Sequence, residues 1–373
     1  MINVELFAGG GGSAVGMQKA GFRPILFYEI DSAACQTLTK NILSKTPTLE
    51  GKVIEHSVES VRWGFLANKV QVLSAGVPCQ PFSLAGKHLA ESDNRNLFPE
   101  VLRAARVLSP QAILIENVCG LLRESNQPYF EYIIIQLEYP SIRPRRGESW
   151  QSHKKRLLQH KQHSKIGREY NVVYALINAA DFGVPQQRKR VFMFAIRSNF
   201  AAFKFPRATH CREVLLTAKL LTNDFHKIGI GSRKHSNQPR IPFASDLKPW
   251  VTVRDALKGL PDPAESEESA ILNHWKLPGA RVYPCHSGSI MDLPAKTIKA
   301  GVHGTPGGEN TILDDKGNFR YFTLRELARL QTFPDNHLFF GNKTQITRQI
   351  GNAVPCRLAT IFFKSIKKCL EDE

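Results

Sequence analysis

Short apolar runs alternate with helical stretches through the first third of the chain, and this alternation restricts the fold more than any other feature of the sequence. The runs cover residues 2–7, 24–28, 70–75 and 112–115. Because each run is followed by a turn and a helical pattern, the sequence predicts a parallel sheet with helices on both faces. Two further apolar runs, residues 171–180 and 190–197, are predicted to close the sheet as an antiparallel pair.

The sequence changes in character after about Asn199. Pro, Gly, His and Lys become frequent, and hydrophobic periodicity is poor until about Phe319. We therefore expect a second, smaller and irregular domain over residues 200–344, with residues 1–199 and 345–373 forming the larger α/β domain. No apolar run approaches the ~18 residues that a membrane span needs, so we expect a soluble protein that is not exported.

The composition is basic, since 50 Lys and Arg residues against 33 Asp and Glu residues give a net charge of +17. This excess suits a polyanionic partner, nucleic acid before an anionic membrane, although a solvated basic surface explains the charge alone equally well. Seven cysteines without a Cys-x-x-Cys pair predict neither a disulfide framework nor structural zinc. We interpret His153, His160 and His163 as part of a basic surface and expect no metal.

A glycine-rich turn follows the first strand and begins the first helix. Gly9, Gly11 and Ala14 match the G-x-G-x-x-A pattern of nucleotide-binding α/β folds, in which glycines let the backbone approach a ligand. Glu29 ends the next strand, where a carboxylate can bind a ribose diol. These features fit a dinucleotide or S-adenosylmethionine equally well, and a turn that merely needs positive φ is the structural alternative.

Candidate site residues also follow two later strands and begin the last one. Cys79 lies beyond the strand that ends at residue 75, where open α/β sheets bind ligands, so it is a candidate nucleophile; alone, it is more typical of a buried structural cysteine. Glu116 follows the next strand and is a candidate proton donor, although Glu-Asn pairs ordinarily cap helices. Arg188 and Arg190 share one face of the last strand; a solvated basic turn is the alternative.

Eight short motifs occur along the chain in a fixed order. They are Leu6-Phe7-Ala8-Gly9, Tyr28-Glu29-Ile30-Asp31, Pro78-Cys79-Gln80, Arg95-Asn96-Leu97-Phe98, Glu116-Asn117-Val118, Gln186-Gln187-Arg188-Lys189-Arg190, Arg325-Glu326-Leu327-Ala328-Arg329-Leu330-Gln331 and Gln349-Ile350-Gly351-Asn352-Ala353-Val354. In this order they make the chain resemble the bacterial DNA cytosine-5 methyltransferases of restriction–modification systems over nearly its whole length. The resemblance implies a Rossmann-like, S-adenosylmethionine-dependent sheet and a target-recognition domain.

The resemblance also implies a role for each matching position. Phe7 and Ile30 would cover the two faces of the cofactor adenine, and Glu29 would bind its ribose. The remaining implied cofactor contacts are Gly9, Gly11, Gly12, Pro78, Leu97 and Asn352. Implied catalytic residues are Cys79, Glu116, Arg188 and Arg190. A loop over residues 80–98 would close over DNA. Apart from the resemblance, we predict that residues 296–308 recognise the site, because their glycines allow close approach to DNA; a plain flexible surface loop is the alternative. The predicted DNA contacts are Gln80, Ser83, Lys87, Arg95, Lys296 and Lys299. The 325–331 motif would brace the recognition domain.

Two departures from the family pattern matter. The family carries Gly-Asp after its third strand, where the Asp accepts from the adenine amino group; here the nearest match is His56-Ser57, so Ser57 takes that position. Residues 141–168 are additional length with nine basic residues and one acidic residue, Glu148. We expect this additional segment to contact the phosphate backbone without reading sequence; a disordered basic loop that does not meet DNA is the alternative.

In the implied chemistry the Cys79 thiolate adds to C6 of a flipped-out cytosine in duplex DNA, and the methyl group goes to C5. Three alternatives stay open at this point: a nicotinamide-dependent oxidoreductase, a transfer RNA methyltransferase on the same scaffold, and a DNA-binding protein without catalysis. The resemblance further implies a cytoplasmic, nucleoid-associated bacterial protein, and we expect a monomer. Whether a companion restriction endonuclease exists does not follow from the sequence.

Overall fold

The computed structural model describes residues 2–23, 25–43, 51–78, 96–163, 167–221, 246–266, 271–282, 288–301 and 310–371. Its strands are β1 (Ile2–Leu6), β2 (Ile25–Glu29), β3 (Lys52–Glu55), β4 (Val70–Gly76), β5 (Ala112–Val118), β6 (Tyr170–Asn178), β7 (Lys189–Arg197), β8 (His210–Cys211), β9 (Lys248–Pro249), β10 (Ser289–Ile290), β11 (Thr311–Leu313) and β12 (Phe319–Tyr321). Its helices are α1 (Gly12–Lys19), α2 (Ser32–Leu38), α3 (Phe98–Leu108), α4 (Gln127–Glu138), α5 (Trp150–His163), α6 (Arg212–Leu221), α7 (Val253–Leu257), α8 (Leu324–Leu330), α9 (Lys343–Asn352) and α10 (Cys356–Glu371).

Seven strands form one sheet in the order β3-β2-β1-β4-β5-β7-β6. Strands β1 to β5 pair in parallel, whereas β7 runs antiparallel to both β5 and β6. The parallel sheet and its antiparallel closing pair, both predicted from the sequence, are therefore confirmed. Because β1 lies between β2 and β4, the strand order reverses there and leaves a crevice at the carboxyl ends, where such sheets bind ligands.

The sheet has a hydrophobic cluster on each face. Along β7 the side chains alternate strictly: Phe192 and Phe194 join the cluster beneath α1 and α10, while Val191 and Met193 join the cluster beneath α3 and α4. This alternation follows from the two-residue period of a strand. Two-sided burial explains why the sheet strands read as nearly continuous apolar runs. The sequence analysis did not predict strand β3, because both of its end residues are exposed at the edge of the sheet and it is therefore not a continuous apolar run.

The described parts of residues 200–344 contain little regular structure. Strands β8 and β9 pair with each other, and β10, β11 and β12 form a three-stranded sheet. Apolar residues of this region, Phe203, Val253, Ile312 and Phe322, belong to the same cluster as α1 and α10. The region therefore packs on one face of the large sheet, and the boundaries at 199/200 and 344/345 stay a prediction.

The additional segment folds as helix α5, which packs along α4. His153, placed on a basic surface by the sequence analysis, is instead fully buried, because its ring fills the α4–α5 interface. Among the basic residues of the segment that the structure describes, four form ion pairs: Lys154 with Glu131, Arg156 with Glu148, and Lys161 and Arg168 with Glu138. Much of the positive charge of the segment thus holds the helix in place.

None of the helices in the described part of the chain has the length and apolarity that a membrane crossing requires. Within the same ranges, no group of three or more His, Cys, Asp or Glu side chains could hold a metal ion.

Candidate active site

A cavity of about 650 Å³ opens at the carboxyl edge of the parallel strands. This volume lies in the range of small-molecule sites, roughly 300–1,000 Å³. It is lined by most of the predicted cofactor and catalytic residues, namely Phe7, Gly9, Gly12, Glu29, Ile30, Ser57, Pro78, Leu97, Glu116, Arg188, Arg190 and Asn352. Gly11 does not line the cavity but precedes α1 as its N-cap residue. Residues that are scattered over 345 positions of sequence thus meet at one site.

The predicted glycine-rich turn forms between β1 and α1. Phe7 and Gly9 both have positive φ angles, 56° and 54°. A positive φ strains a side chain such as that of Phe7 by about 1–2 kcal/mol, and strain of this kind concentrates at ligand sites. A Cβ atom at Gly9 would meet nothing within 4 Å, so the backbone there faces open space in the cavity.

Glu29 is fixed at the end of β2 by three backbone amides. Gly9 N donates to its Oε2 at 2.8 Å, while Ile30 N and Asp31 N donate to its Oε1 at 2.8 and 2.9 Å. A carboxylate has about four acceptor sites, so Glu29 retains the capacity to accept from a ligand hydroxyl. Next to it the Ile30 side chain is 70 % exposed, which leaves an apolar surface open beside the cavity.

Glu5 is a site residue that the sequence analysis missed. It is 3 % exposed, and its Oε2 has no hydrogen-bond partner among the described residues. Burial raises the pKa of Glu5 to about 8; a hydrogen bond from Ser13 opposes this shift, and the charge of Glu29 adds to it. The available signal was a lone acid inside the apolar run Ile2–Leu6, a position that a carboxylate occupies only at a cost.

Unsatisfied oxygens concentrate around this cavity. Besides Glu5 Oε2, the buried Ser74 Oγ, Glu116 Oε1 and Gln349 Oε1 line it and have no hydrogen-bond partner within the described ranges. Buried polar atoms are rarely left without partners in native proteins. Their grouping therefore indicates that a ligand with several donors or a positive charge belongs in the cavity.

Glu116 and Arg190 form an ion pair between neighbouring strands. Arg190 Nε lies 3.0 Å from Glu116 Oε1, and both side chains are largely buried. The N–H does not point at the oxygen well enough for a hydrogen bond, so Glu116 Oε1 can still bind a ligand. On the next residue, Asn117 Nδ2 donates to Val77 O at 3.3 Å and holds the turn that leads to Pro78. Cys79 lies outside the described residues.

Arg188 is 2 % exposed and binds backbone carbonyls of two other segments. Its Nη1 donates to Ile298 O at 3.2 Å and its Nη2 donates to Gly351 O at 2.9 Å. A Cβ atom at Gly351 would lie 2.6 Å from Ala300 N, so only glycine permits this close approach. The guanidinium therefore fixes the 298–301 segment against α9, in addition to lining the cavity. Its catalytic role stays a prediction.

Comparison with known proteins identifies the family. The family model described as C-5 cytosine-specific DNA methylase matches residues 1–139 and 150–368. The chain belongs to this family. It is 31% identical to the Type II methyltransferase M.Eco47II of Escherichia coli over 99% of this chain and 79% of that protein. It is also 31% identical to M.NgoMIV of Neisseria gonorrhoeae over 100% of this chain and 98% of that protein.

Solved structures of methyltransferases share the fold. A DNA modification methyltransferase encoded within an E. coli prophage superposes with a TM-score of 0.58 at 21% identity, covering 100% of both chains. The Dnmt2 methyltransferase of S. pombe superposes with a TM-score of 0.57 at 17% identity, covering 100% of this chain and 99% of that chain. The predicted α/β methyltransferase fold is confirmed, and a smaller second sheet is present.

The family assignment decides between the functional alternatives. This methyltransferase transfers a methyl group from S-adenosylmethionine to C5 of cytosine in DNA, as predicted from the ordered motifs. The nicotinamide-dependent oxidoreductase and the DNA-binding protein without catalysis are excluded. The matching family model is described as a DNA methylase, so it gives no support to the transfer RNA methyltransferase alternative.

The predicted DNA contacts lie mainly outside the described residues: Gln80, Ser83, Lys87 and Arg95. Of the predicted recognition stretch, the structure of the methyltransferase describes only residues 296–301. Lys296 is exposed and Lys299 is half-buried, and neither lines the cavity. Ala300 and Gly301, which follow directly, do line it, so this stretch leads to the mouth of the site.

Proposed function

We propose that the enzyme methylates cytosine through a covalent adduct between Cys79 and C6 of a base flipped out of duplex DNA. The observation that carries the proposal is the single cavity shared by Glu116, Arg190 and Pro78, the residue bonded to Cys79, with the predicted cofactor residues. Extrusion of the base from the stack is required, because no group of the protein reaches C6 inside a duplex.

The chain's own residues supply the steps around C5. The Cys79 thiolate adds to C6, which makes C5 nucleophilic and builds charge on the ring. The protonated carboxyl of Glu116 then donates to N3, and Arg190, the neighbour of Glu116, stabilises the negative charge on the carbonyl oxygen O2. S-adenosylmethionine, when bound, supplies an electrophilic methyl group on a sulfonium. The C5 proton then passes to solvent, its bonding pair forms the C5–C6 double bond as the Cys79 thiolate leaves, and N3 returns its proton to Glu116.

The cavity residues fit this cofactor. Phe7 and the exposed Ile30 suit the two faces of an adenine ring, Ser57 suits the adenine amino group, and Glu29 suits the ribose hydroxyls. Glu5, which is buried without a partner for Oε2, suits the cationic end. The remaining contacts that we assign to the cofactor are Gly9, Gly11, Gly12, Pro78, Leu97 and Asn352.

We assign target recognition to residues 200–344 and further DNA contacts to Gln80, Ser83, Lys87, Arg95, Lys296 and Lys299. The similarity to named Type II methyltransferases supports modification of a defined duplex sequence. A companion restriction endonuclease that acts on the same site would fit this role, and a monomer suffices for it. Methylation of a plasmid followed by mapping of the modified cytosines would identify the sequence.

The decisive experiment replaces Cys79 by Ala. We expect methyl transfer to be abolished while S-adenosylmethionine and DNA still bind, because only the covalent step is removed. The wild-type enzyme should be trapped on a duplex that carries 5-fluorocytosine at the target, since fluorine cannot leave C5 as a proton does. Cys119→Ala is the matched control, because Cys119 follows β5 without lining the cavity. Activity in Cys79→Ala would refute the mechanism.

Glu116→Gln tests the proton donor. Gln keeps the shape but cannot supply a proton to N3, so kcat should fall by at least about tenfold, or ~1.4 kcal/mol of activation free energy. DNA affinity should change much less. A kcat within a factor of two of wild type would remove Glu116 from this role.

A further inference from the structure

Helix α5 and the turn before it pack against α4. The family model matches residues 1–139 and 150–368 and does not cover this turn. The buried ring of His153 joins turn and helix: Nε2 lies 3.0 Å from Ile142 O, and Nδ1 lies 2.8 Å from the Tyr132 hydroxyl. A carbonyl only accepts, so Nε2 carries the proton and Nδ1 accepts from Tyr132. Burial lowers the pKa of His153, which favours this neutral ring.

Trp150, the first residue of α5, extends these packing contacts towards the active site. The Trp150 ring meets the Tyr129 ring edge-on at 5.5 Å between centroids and also contacts Tyr132 at 5.6 Å. Aromatic pairs of this geometry attract each other beyond what their buried area contributes. Tyr129, on α4, is thereby held between the additional segment and the residues that precede α3.

The Tyr129 hydroxyl reaches the wall of the cofactor cavity. It accepts from Asn96 Nδ2 at 2.7 Å, and Asn96 Oδ1 in turn accepts from Phe98 N at 3.2 Å. Leu97 lies between these two anchored residues and lines the cavity. Its carbonyl also accepts from the amides of Glu100 and Val101 in the first turn of α3. The backbone on both sides of Leu97 is therefore fixed.

We propose that Tyr129, held by Trp150, is a positioning residue for Leu97, so that the additional segment tunes the affinity of the enzyme for S-adenosylmethionine. The inference rests on the proposed cofactor site. It gives the segment a structural route to the active site, separate from any contact of its basic residues with DNA.

The test compares two tyrosines on one helix. Tyr129→Phe removes the acceptor of Asn96, whereas Tyr132→Phe removes a buried hydroxyl that binds only His153 in the contacts above. S-adenosylmethionine binding is measured by calorimetry without DNA, together with the unfolding temperature and with KM and kcat. Tyr129→Phe should weaken binding by between about twofold and tenfold, the range that one net hydrogen bond corresponds to. It should raise KM for the cofactor more than it lowers kcat, and Tyr132→Phe should leave affinity at the wild-type value.

Trp150 provides a second pair of variants. Trp150→Ala should reproduce the loss of affinity, and Trp150→Phe should restore most of it because a ring still packs on Tyr129. Equal affinities for all variants and wild type would overturn the proposal. It would also be overturned if Tyr132→Phe lowered both the affinity for S-adenosylmethionine and the unfolding temperature, because the effect would then follow stability and not the contact with Asn96. Wild-type enzyme that fails to bind S-adenosylmethionine would instead refute the proposed cofactor site, so the two failures are distinguishable.

Discussion

Replacement of Glu5 by Gln should change how the stability of the enzyme depends on pH. The carboxyl is buried with an unsatisfied oxygen, and its pKa is raised from 4.5 to about 8. Between these values the folded protein binds more protons than the unfolded chain, so the free energy of unfolding falls as pH rises. Gln is neutral at every pH and removes this dependence.

The size of the effect follows from the two pKa values. Between pH 5 and pH 7.5 the unfolded carboxyl goes from roughly three-quarters to almost fully ionised, while the folded one stays mostly protonated. Integrated over this interval, the difference in bound protons is roughly 2.3, at about 1.36 kcal/mol for each unit. Wild type should therefore lose about 3 kcal/mol of unfolding free energy relative to Glu5→Gln over this interval. Denaturant unfolding at several pH values measures it.

Glu55→Gln is the control, because Glu55 is an exposed carboxylate at the end of the neighbouring strand β3. Its profile should run parallel to that of wild type. A cation in the cavity favours ionised Glu5, so S-adenosylmethionine binding near pH 7 should release about one proton in wild type and none in Glu5→Gln. Calorimetry in buffers of different ionisation enthalpy counts that proton. Parallel stability profiles for wild type and Glu5→Gln would refute the reasoning.

Three further predictions concern DNA and the cavity wall. The exposed basic residues of the additional segment that have no acidic partner in the described structure should contact phosphates; they are Arg143, Arg145, Arg146 and Lys155. Their replacement by Gln should flatten the log–log salt dependence of DNA binding by up to about 3.6, or 0.9 for each contact, whereas Lys364→Gln with Lys368→Gln, which removes two charges from α10, should leave the slope unchanged. Lys296→Ala with Lys299→Ala should alter site preference or affinity in a methylation assay on variant duplexes; unchanged values of both would remove the stretch from the recognition surface. Gly351→Ala should lower the free energy of unfolding by about 1–3 kcal/mol through its clash with Ala300, and it should raise KM for S-adenosylmethionine. An unfolding curve equal to that of wild type would show that the backbone accommodates the added methyl group without cost.

The extent of sequence-based prediction differs between the parts of the site. The strand runs and the glycine-rich turn depend on residues close together in the chain, so their patterns were sufficient to predict β1, β2, β4, β5 and the closing pair. Because parallel strands end at one edge, the same patterns also predicted that Glu29 and Glu116 would lie there, whereas the place of Arg190 was implied only by the family resemblance.

Other features depend on contacts between distant residues. Arg188 binds carbonyls 110 and 163 residues away, and these partners explain its burial where the local pattern indicated only a basic turn. His153 looked like a surface residue until α5 packed on α4 and supplied partners for both ring nitrogens.

The sequence by itself determined the family, the reaction and the edge of the sheet where the chemistry occurs. Ordered motifs and strand ends depend on residues close together in the chain, so they can be recognised before the packing of the chain is known. The tertiary structure alone decided that Glu5 is a buried acid and that the additional segment supports Leu97 through Tyr129. Burial and hydrogen-bond partners belong to the packed molecule, because desolvation depends on every neighbouring element and not on the residues next in the chain.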